Sequence, residues 1–132
     1  MTVLEAVGDY LVAQGQGTLG TNLFLSMLPE SPDFCVAILE SEGGSPDYTL
    51  GTGGIRIDRP NLQILVRATR NDYKTARDKA DEIRLLLSSI ANQTISGVNV
   101  MRIAAMGSVG YVGEDEKSRP LVSANYQCMV RM

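Results

Sequence analysis

DRPNLQILVRATRNDYKTARDKADEIRLLL, residues 58–87, contains two hydrophobic periods, one after the other. Between Asn61 and Thr69 apolar and polar residues alternate, which is the period of a strand with one buried face. After Asn71 the apolar residues recur every three or four positions, which is the period of an amphipathic helix. The stretch therefore predicts a strand that runs through a short connection into a charged helix.

The predicted strand has an apolar face and a mixed face. The apolar face consists of Leu62, Ile64, Val66 and Ala68. The other face carries Gln63, Arg67 and Thr69, but Leu65 interrupts these polar residues. Because an apolar residue on that side favours burial, we expect the second face of the strand to be partly covered as well.

The predicted helix spans residues 71–92, with Asn71 or Asp72 as its N-cap. Lys74 can pair with Asp78, and Arg77 with Asp81, because each pair is separated by one helical turn. The apolar stripe consists of Tyr73, Ala76, Ala80, Ile83, Leu86, Leu87 and Ile90. One side of the helix is therefore predicted to pack on the strand, with the charged side in solvent.

The remaining segments complete an α+β pattern. A first helix is predicted after Thr2, which forms a capping box with Glu5, and Gly15 is its predicted stop. FCVAILE (34–40), VNVMRIAAMG (98–107) and LVSANYQCMVRM (121–132) are predicted strands. We therefore expect one domain, residues 1–132, with a mostly antiparallel β-sheet and two α-helices packed on one face.

The composition excludes several kinds of site. The chain of 132 residues has a net charge of −3 and no tryptophan, which argues against a domain whose main task is to bind nucleic acid. It also has no histidine, which excludes a histidine-dependent catalytic triad and argues against a zinc site. Cys35 and Cys128 lie in apolar runs and are predicted to be unpaired, reduced thiols. No membrane span and no signal peptide are recognisable, so we expect synthesis in a cytoplasm.

Two patterns leave an enzymatic alternative open. Asp78 and Glu82 lie one helical turn apart and could serve as an acid–base pair, although a solvated helix face is the simpler explanation, since such pairs are common on helices. The glycine-rich segment Gly51–Gly54 could bind phosphate through its backbone, but it lacks the spacing of known phosphate loops. The simpler interpretation of the first pattern is a solvated, charged helix face, and that of the second is a plain loop.

The order of three motifs resembles the small neck proteins of long-tailed bacteriophages, known as tail terminators or minor capsid proteins. MLPESPDFCVAILESEGGSPD (27–47) places a proline-rich turn before a core strand, and ANYQCMVRM (124–132) is a last strand that matches the family's final one. Between them the pattern RPxhQhxVR is matched by Arg59, Pro60, Gln63, Val66 and Arg67. The helix that follows matches the family pattern at Tyr73, Ala76, Ala80, Ile83, Leu86 and Leu87.

The resemblance implies a structural virion protein that is made in the host bacterial cytoplasm. Such proteins form a ring, typically a hexamer, at the head-proximal end of the tail, where they end tube polymerisation and join the tail to the head. The implied partners are further copies of the chain, the tail tube protein and the head–tail connector or stopper protein, and genome DNA passes through without specific binding. The resemblance implies no catalytic residue, cofactor or metal. A head-completion or stopper protein and a monomeric α+β binding module remain alternatives.

Two long segments are the predicted contact surfaces. The segment Ser41–Ile57 is expected to be mobile in the free protein and ordered between subunits, with Tyr48, Leu50, Ile55 and Ile57 as apolar anchors. The loop between Gly107 and Pro120 is expected to bend away from the domain and to face the channel or the tube. Its charged tip consists of Glu114, Asp115, Glu116 and Lys117.

Overall fold

A computed structural model describes residues 2–48 and 54–132. It contains two helices, α1 (Val3–Ala13) and α2 (Tyr73–Ser88). The strands in chain order are β1 (Leu23–Leu25), β2 (Cys35–Ser41), β3 (Asp47–Tyr48), β4 (Ile55–Asp58), β5 (Asn61–Arg67), β6 (Ala91–Ile95), β7 (Val98–Ala105), β8 (Gly110–Glu114) and β9 (Pro120–Arg131).

The long last strand, β9, organises the sheet. Along one edge it pairs with β5 and then, near its C-terminal end, with β4. Along the other edge it pairs with β8 near its start and with β7 further on. All of these pairings are antiparallel, as are β2 with β5, β3 with β4, and β6 with β7, whereas β1 joins β2 in parallel. The predicted fold class, α+β with a mostly antiparallel sheet, is confirmed.

The core lies between the sheet and the two helices. Leu62, Ile64 and Val66 are fully buried, as the alternation predicts, and Val66 lies opposite Val36 on one side and Val122 on the other. Both helices add side chains to the same apolar cluster, for example Leu11 from α1 and Ile83 from α2. Burial of these aliphatic side chains, each worth about 1.5–3 kcal/mol, is the main stabilising term.

The second face of β5 is also partly covered, as Leu65 predicts. Leu65 is half-buried, and the whole side chain of Arg67 is buried on that face. The segment that precedes β2 covers this arginine, because its guanidinium donates to the carbonyl oxygens of Pro32 and Asp33 at 2.7 and 3.1 Å.

The predicted helix caps and the predicted ion pairs of α2 are present in the structure. Thr2 and Glu5 form the capping box of α1, and Gly15, with φ of +77°, follows the last turn. Asp72 is the N-cap of α2, where its carboxylate accepts from the backbone N–H of Thr75 at 3.3 Å. The two ion pairs predicted one turn apart on α2 are both present, with N–O distances of 2.6 and 3.3 Å.

The predicted end of α2 is wrong. The helix stops at Ser88, and Ile90, although buried, lies beyond it. The backbone N–H groups of Ser89 and Ile90 bond to carbonyls three residues back, which tightens the last turn and ends the helix. The chain then forms the hairpin of β6 and β7, whose turn at Ser96 and Gly97 has positive φ at both residues, as two-residue hairpins favour.

Two predicted loops contain strands. The segment Ser41–Ile57 contributes β3 and most of β4. The segment Gly107–Pro120 contains β8, which continues along the same edge of β9 as β7 after an interruption at Gly107, where φ is +83°. The last two long strands, β7 and β9, pair antiparallel, and their connection is a third strand and a short turn rather than a plain loop.

Candidate functional site

The hairpin of β3 and β4 presents apolar side chains to solvent. Tyr48 is 63% exposed and lies opposite Ile55, which is 41% exposed, while Ile57 is half-buried. Leu50, the fourth predicted anchor, lies outside the described residues. Three of the four predicted interface residues are therefore brought together on one hairpin, and exposed apolar clusters of this kind are typical of protein contacts.

The base of this hairpin is held firmly to the sheet. Arg59 bonds to Asp47 across the base at 2.8 Å, and its carbonyl oxygen accepts from the N–H of Gly44 at 2.9 Å. A side chain at Gly43 would place its Cβ 2.1 Å from the same carbonyl oxygen. Only glycine therefore permits the close approach of the two backbone segments at this point.

The charged segment after β8 forms a closed turn. Glu114 is the last residue of β8, so the turn itself consists of Asp115–Ser118. One carboxylate oxygen of Asp115 accepts from the backbone N–H groups of Lys117 and Arg119 at 3.0 and 2.9 Å. The prediction that this loop bends away from the domain is therefore wrong, because Asp115 holds the turn against the start of β9.

A buried arginine fixes this turn to a distant loop. The Arg119 guanidinium donates to Asp115 at 2.7 Å, to the carbonyl oxygen of Glu30 at 2.6 Å and to the Asp33 carboxylate at 2.9 Å. Its side chain is only 4% exposed. Sequence reasoning missed Arg119, and the available signal was the spacing of four residues from Asp115.

Hydrogen bonds and ion pairs in this region lower the pKa of two carboxyl groups and so favour their charged forms. Burial raises the pKa of Asp115, but hydrogen bonds from the backbone and side chain of Arg119 and from the backbone of Lys117, together with the Arg119 charge, outweigh burial and leave that pKa below its ordinary value. The hydrogen bond from Lys117, at 2.5 Å, lowers the pKa of the Glu30 carboxyl. Lys117 and Asp115 are thus engaged within the domain, and Glu114 and Glu116 are the exposed acidic residues here.

A cleft lies beside β8. Its volume is about 360 Å³, and it is lined by Asn71, Tyr73, Tyr111, Glu114 and Pro120. The rings of Tyr73 and Tyr111 meet edge to face with centroids 5.6 Å apart, an arrangement that aromatic pairs favour. Val112, which follows Tyr111 in β8, is 57% exposed. Sequence analysis did not single out this aromatic cleft.

The two predicted contact surfaces lie at opposite ends of β9. Glu114 pairs with Pro120 at the start of this strand, whereas Ile57 pairs with Arg131 at its end and along its other edge. The structure therefore separates the acidic turn from the apolar hairpin by the length of a 12-residue strand.

The two carboxylates of the enzymatic alternative, Asp78 and Glu82, line an open surface cleft of about 330 Å³ together with Phe34, Thr75 and Lys79. Asp78 pairs with Lys74 at 2.6 Å, and Glu82 accepts from the Gln16 amide at 3.1 Å, so each carboxylate has a structural partner at the helix surface. Of the glycine-rich segment, only Gly54 lies among the described residues. Within residues 2–48 and 54–132, no group of three or more potential ligands is placed to hold a metal ion.

Both cysteines are buried and unpaired, as predicted. Burial raises the pKa of the Cys128 thiol to about 12 and also raises that of Cys35, so both thiols are protonated at neutral pH. In the part of the chain that the structure describes, no helix combines the length and apolar character that crossing a membrane requires.

Comparisons with known proteins identify the family. One solved chain, from the virion of a native gene transfer agent particle, shares the fold with a TM-score of 0.68 at 15% sequence identity, and the match covers 98% of this chain and 95% of that one. No curated protein matches the sequence. The family model described as bacteriophage tail terminator protein matches residues 10–131, and the chain therefore belongs to the bacteriophage tail terminator family.

Proposed function

We propose that this protein forms a closed ring of six copies at the head-proximal end of a phage tail tube. There it ends tube polymerisation and joins the tail to the head connector. The observation that carries the proposal is the family match over residues 10–131. The shared fold with a chain of a virion particle supports an assembled state.

The distribution of exposed residues is consistent with a ring. Subunits of a cyclic ring meet through two different patches, and this chain carries two apolar patches at opposite ends of β9. We assign the hairpin residues Tyr48, Leu50, Ile55 and Ile57 to the subunit interface. The chain's partners are then further copies of itself, the tube protein and the connector or stopper protein.

The acidic turn is assigned to the channel or tube side of the ring. Asp115 and Lys117 are bound within the domain, so the exposed Glu116 at the turn is the residue that acts there. Six such carboxylates would repel the phosphates of passing DNA, which favours transit over binding. The protein is then a structural component of the virion, and no enzymatic step is proposed.

Two measurements test the proposed function. Tube protein is polymerised with and without the purified chain, and tube lengths and end-on views are recorded by electron microscopy. We expect shorter tubes with a ring at one end, and a species of about six times 14.3 kDa by native mass spectrometry of released rings. Unchanged tube lengths, or a chain that binds only the isolated connector, would contradict termination and favour the stopper alternative.

A further inference from the structure

The connection between β1 and β2 is attached to the domain in an unusual way. Its residues 27–33, called the strap below, make no backbone hydrogen bond to any other part of the described chain. None of its side chains belongs to the apolar core or packs against it, and Met27 is 54% exposed. The strap therefore lacks the two interactions, a backbone ladder and core packing, that hold most segments of a domain in place.

Three cations from other segments hold the strap instead. Arg67 donates to the carbonyl oxygens of Pro32 and Asp33, and Arg119 donates to the Glu30 carbonyl oxygen and the Asp33 carboxylate. The third cation, at position 117, pairs with the Glu30 carboxylate. The side chains of Glu30 and Asp33 are 71% and 56% exposed, so water can replace the protein partners of both carboxylates.

The strap lies beside a buried thiol on the face of the sheet opposite the helices. Cys35 pairs with Arg67 in the register of β2 and β5, so the two side chains share that face. Cys35 is 1% exposed but does not belong to the apolar core cluster, whereas Cys128 does. Burial raises the pKa of the Cys35 thiol, and the charges of Arg67, Arg119 and Asp33 also act on it, as expected for a thiol next to the anchors of the strap.

We infer that the strap is a lid that leaves the sheet while the rest of the domain stays folded. In the open state the Cys35 thiol is accessible, and Arg67 and Arg119 are exposed without their acceptors on the strap. Opening breaks polar contacts only and moves no core side chain, so it requires less free energy than global unfolding. The open state leaves no charge buried and unpaired, because water reaches both guanidinium groups.

Thiol labelling of the full chain tests this lid, since the two native cysteines serve as reporter and internal control. N-ethylmaleimide is added to the folded protein at neutral pH, and peptide mass spectrometry follows the modification of each thiol. Cys128 lies in the core, so only global unfolding exposes it. We expect Cys35 to react about tenfold faster than Cys128 or more, because local opening is more frequent than global unfolding. Equal rates would overturn the lid.

A substitution on the strap links the labelling to its anchors. Asp33→Ala removes the carboxylate that accepts from Arg119 and leaves β5 and β9 unchanged. We expect it to raise the labelling rate of Cys35 by about threefold or more, with the rate of Cys128 unaltered. The matched control is Asp78→Ala, which removes the carboxylate of an exposed ion pair on α2 and should change neither rate.

Proteolysis supplies a readout that thiol chemistry does not influence. A glutamate-specific protease can cut after Glu30 only when the strap has left the sheet, because cleavage requires an extended, unattached segment. We expect Asp33→Ala to accelerate this cut by about threefold or more, and the cut chain to keep its circular dichroism spectrum. An unchanged rate of this cut in Asp33→Ala, or loss of the folded spectrum on cleavage, would overturn the lid.

Discussion

At the scale of single residues, Arg119 is a buried side chain that joins the turn after β8 to the segment before β2. We expect Arg119→Met to lower the free energy of unfolding by about 2–3 kcal/mol, because the Glu30 carbonyl and the Asp115 carboxylate lose a buried donor while the apolar stem is kept. Urea denaturation of the monomer measures this. Lys117→Met, which removes an exposed ion pair, is the control and should leave the midpoint almost unchanged. Equal midpoints for both variants would contradict the prediction.

The same residue links stability to pH. The folded-state pKa of Asp115 lies below its ordinary value of 3.8, so its contribution to stability is present above that value and is lost as the pH falls through the lowered pKa. We expect wild-type protein to lose stability as the pH falls below about 4, and Arg119→Met to lose less over the same interval. Parallel curves for the two proteins would show that Arg119 does not hold the carboxylate ionised.

At the scale of elements, the base of the β3–β4 hairpin depends on a glycine. Gly43→Ala should destabilise the protein by about 1–3 kcal/mol or free the hairpin locally, because a Cβ at this position would lie 2.1 Å from the Arg59 carbonyl oxygen. Gly54→Ala is the matched control, since nothing lies within 4 Å of a Cβ built there. Thermal unfolding compares the two variants, and equal melting temperatures would refute the steric argument.

The hairpin should also report assembly. We expect the amides of Asp47 and Tyr48, and of Ile55–Asp58, to exchange faster in the free protein than in the ring. Among the described strands β3 pairs only with β4, so its other edge is open in the free protein, and the proposed contact pairs or covers it. Hydrogen exchange with mass spectrometry on both states measures this, with β5 peptides as the internal reference. Equal protection of the hairpin in both states would argue against its place in the interface.

At the scale of the whole molecule, the exposed acid of the turn is expected to act in DNA transit. Glu116→Lys should leave the ring intact and slow genome ejection from the assembled virion, because a ring of cations would attract DNA phosphates. Changing Glu116 alone is the appropriate test, since Asp115 is needed for the turn. Normal ejection kinetics with an intact ring would place this turn away from the channel.

Local periodicity determined much of this protein from sequence alone. The buried face of β5, the stripe and ion pairs of α2, the capping box of α1 and the α+β class all follow from side-chain spacing within one element. The same holds for the two unpaired cysteines, whose apolar neighbours predict burial. The order of motifs was sufficient to indicate the tail terminator family, because it reflects the order of elements along the chain.

The tertiary structure decided where those elements meet. β3, β6 and β8 have at most five residues each and show no clear alternation, and they become strands because a neighbouring edge supplies their hydrogen bonds. The burial of Arg119 depends on a loop 86 residues away in the chain, at Asp33. The aromatic cleft likewise requires Tyr73 of α2 to contact Tyr111 of β8. Such long-range contacts have no local period, so only the folded chain reveals them.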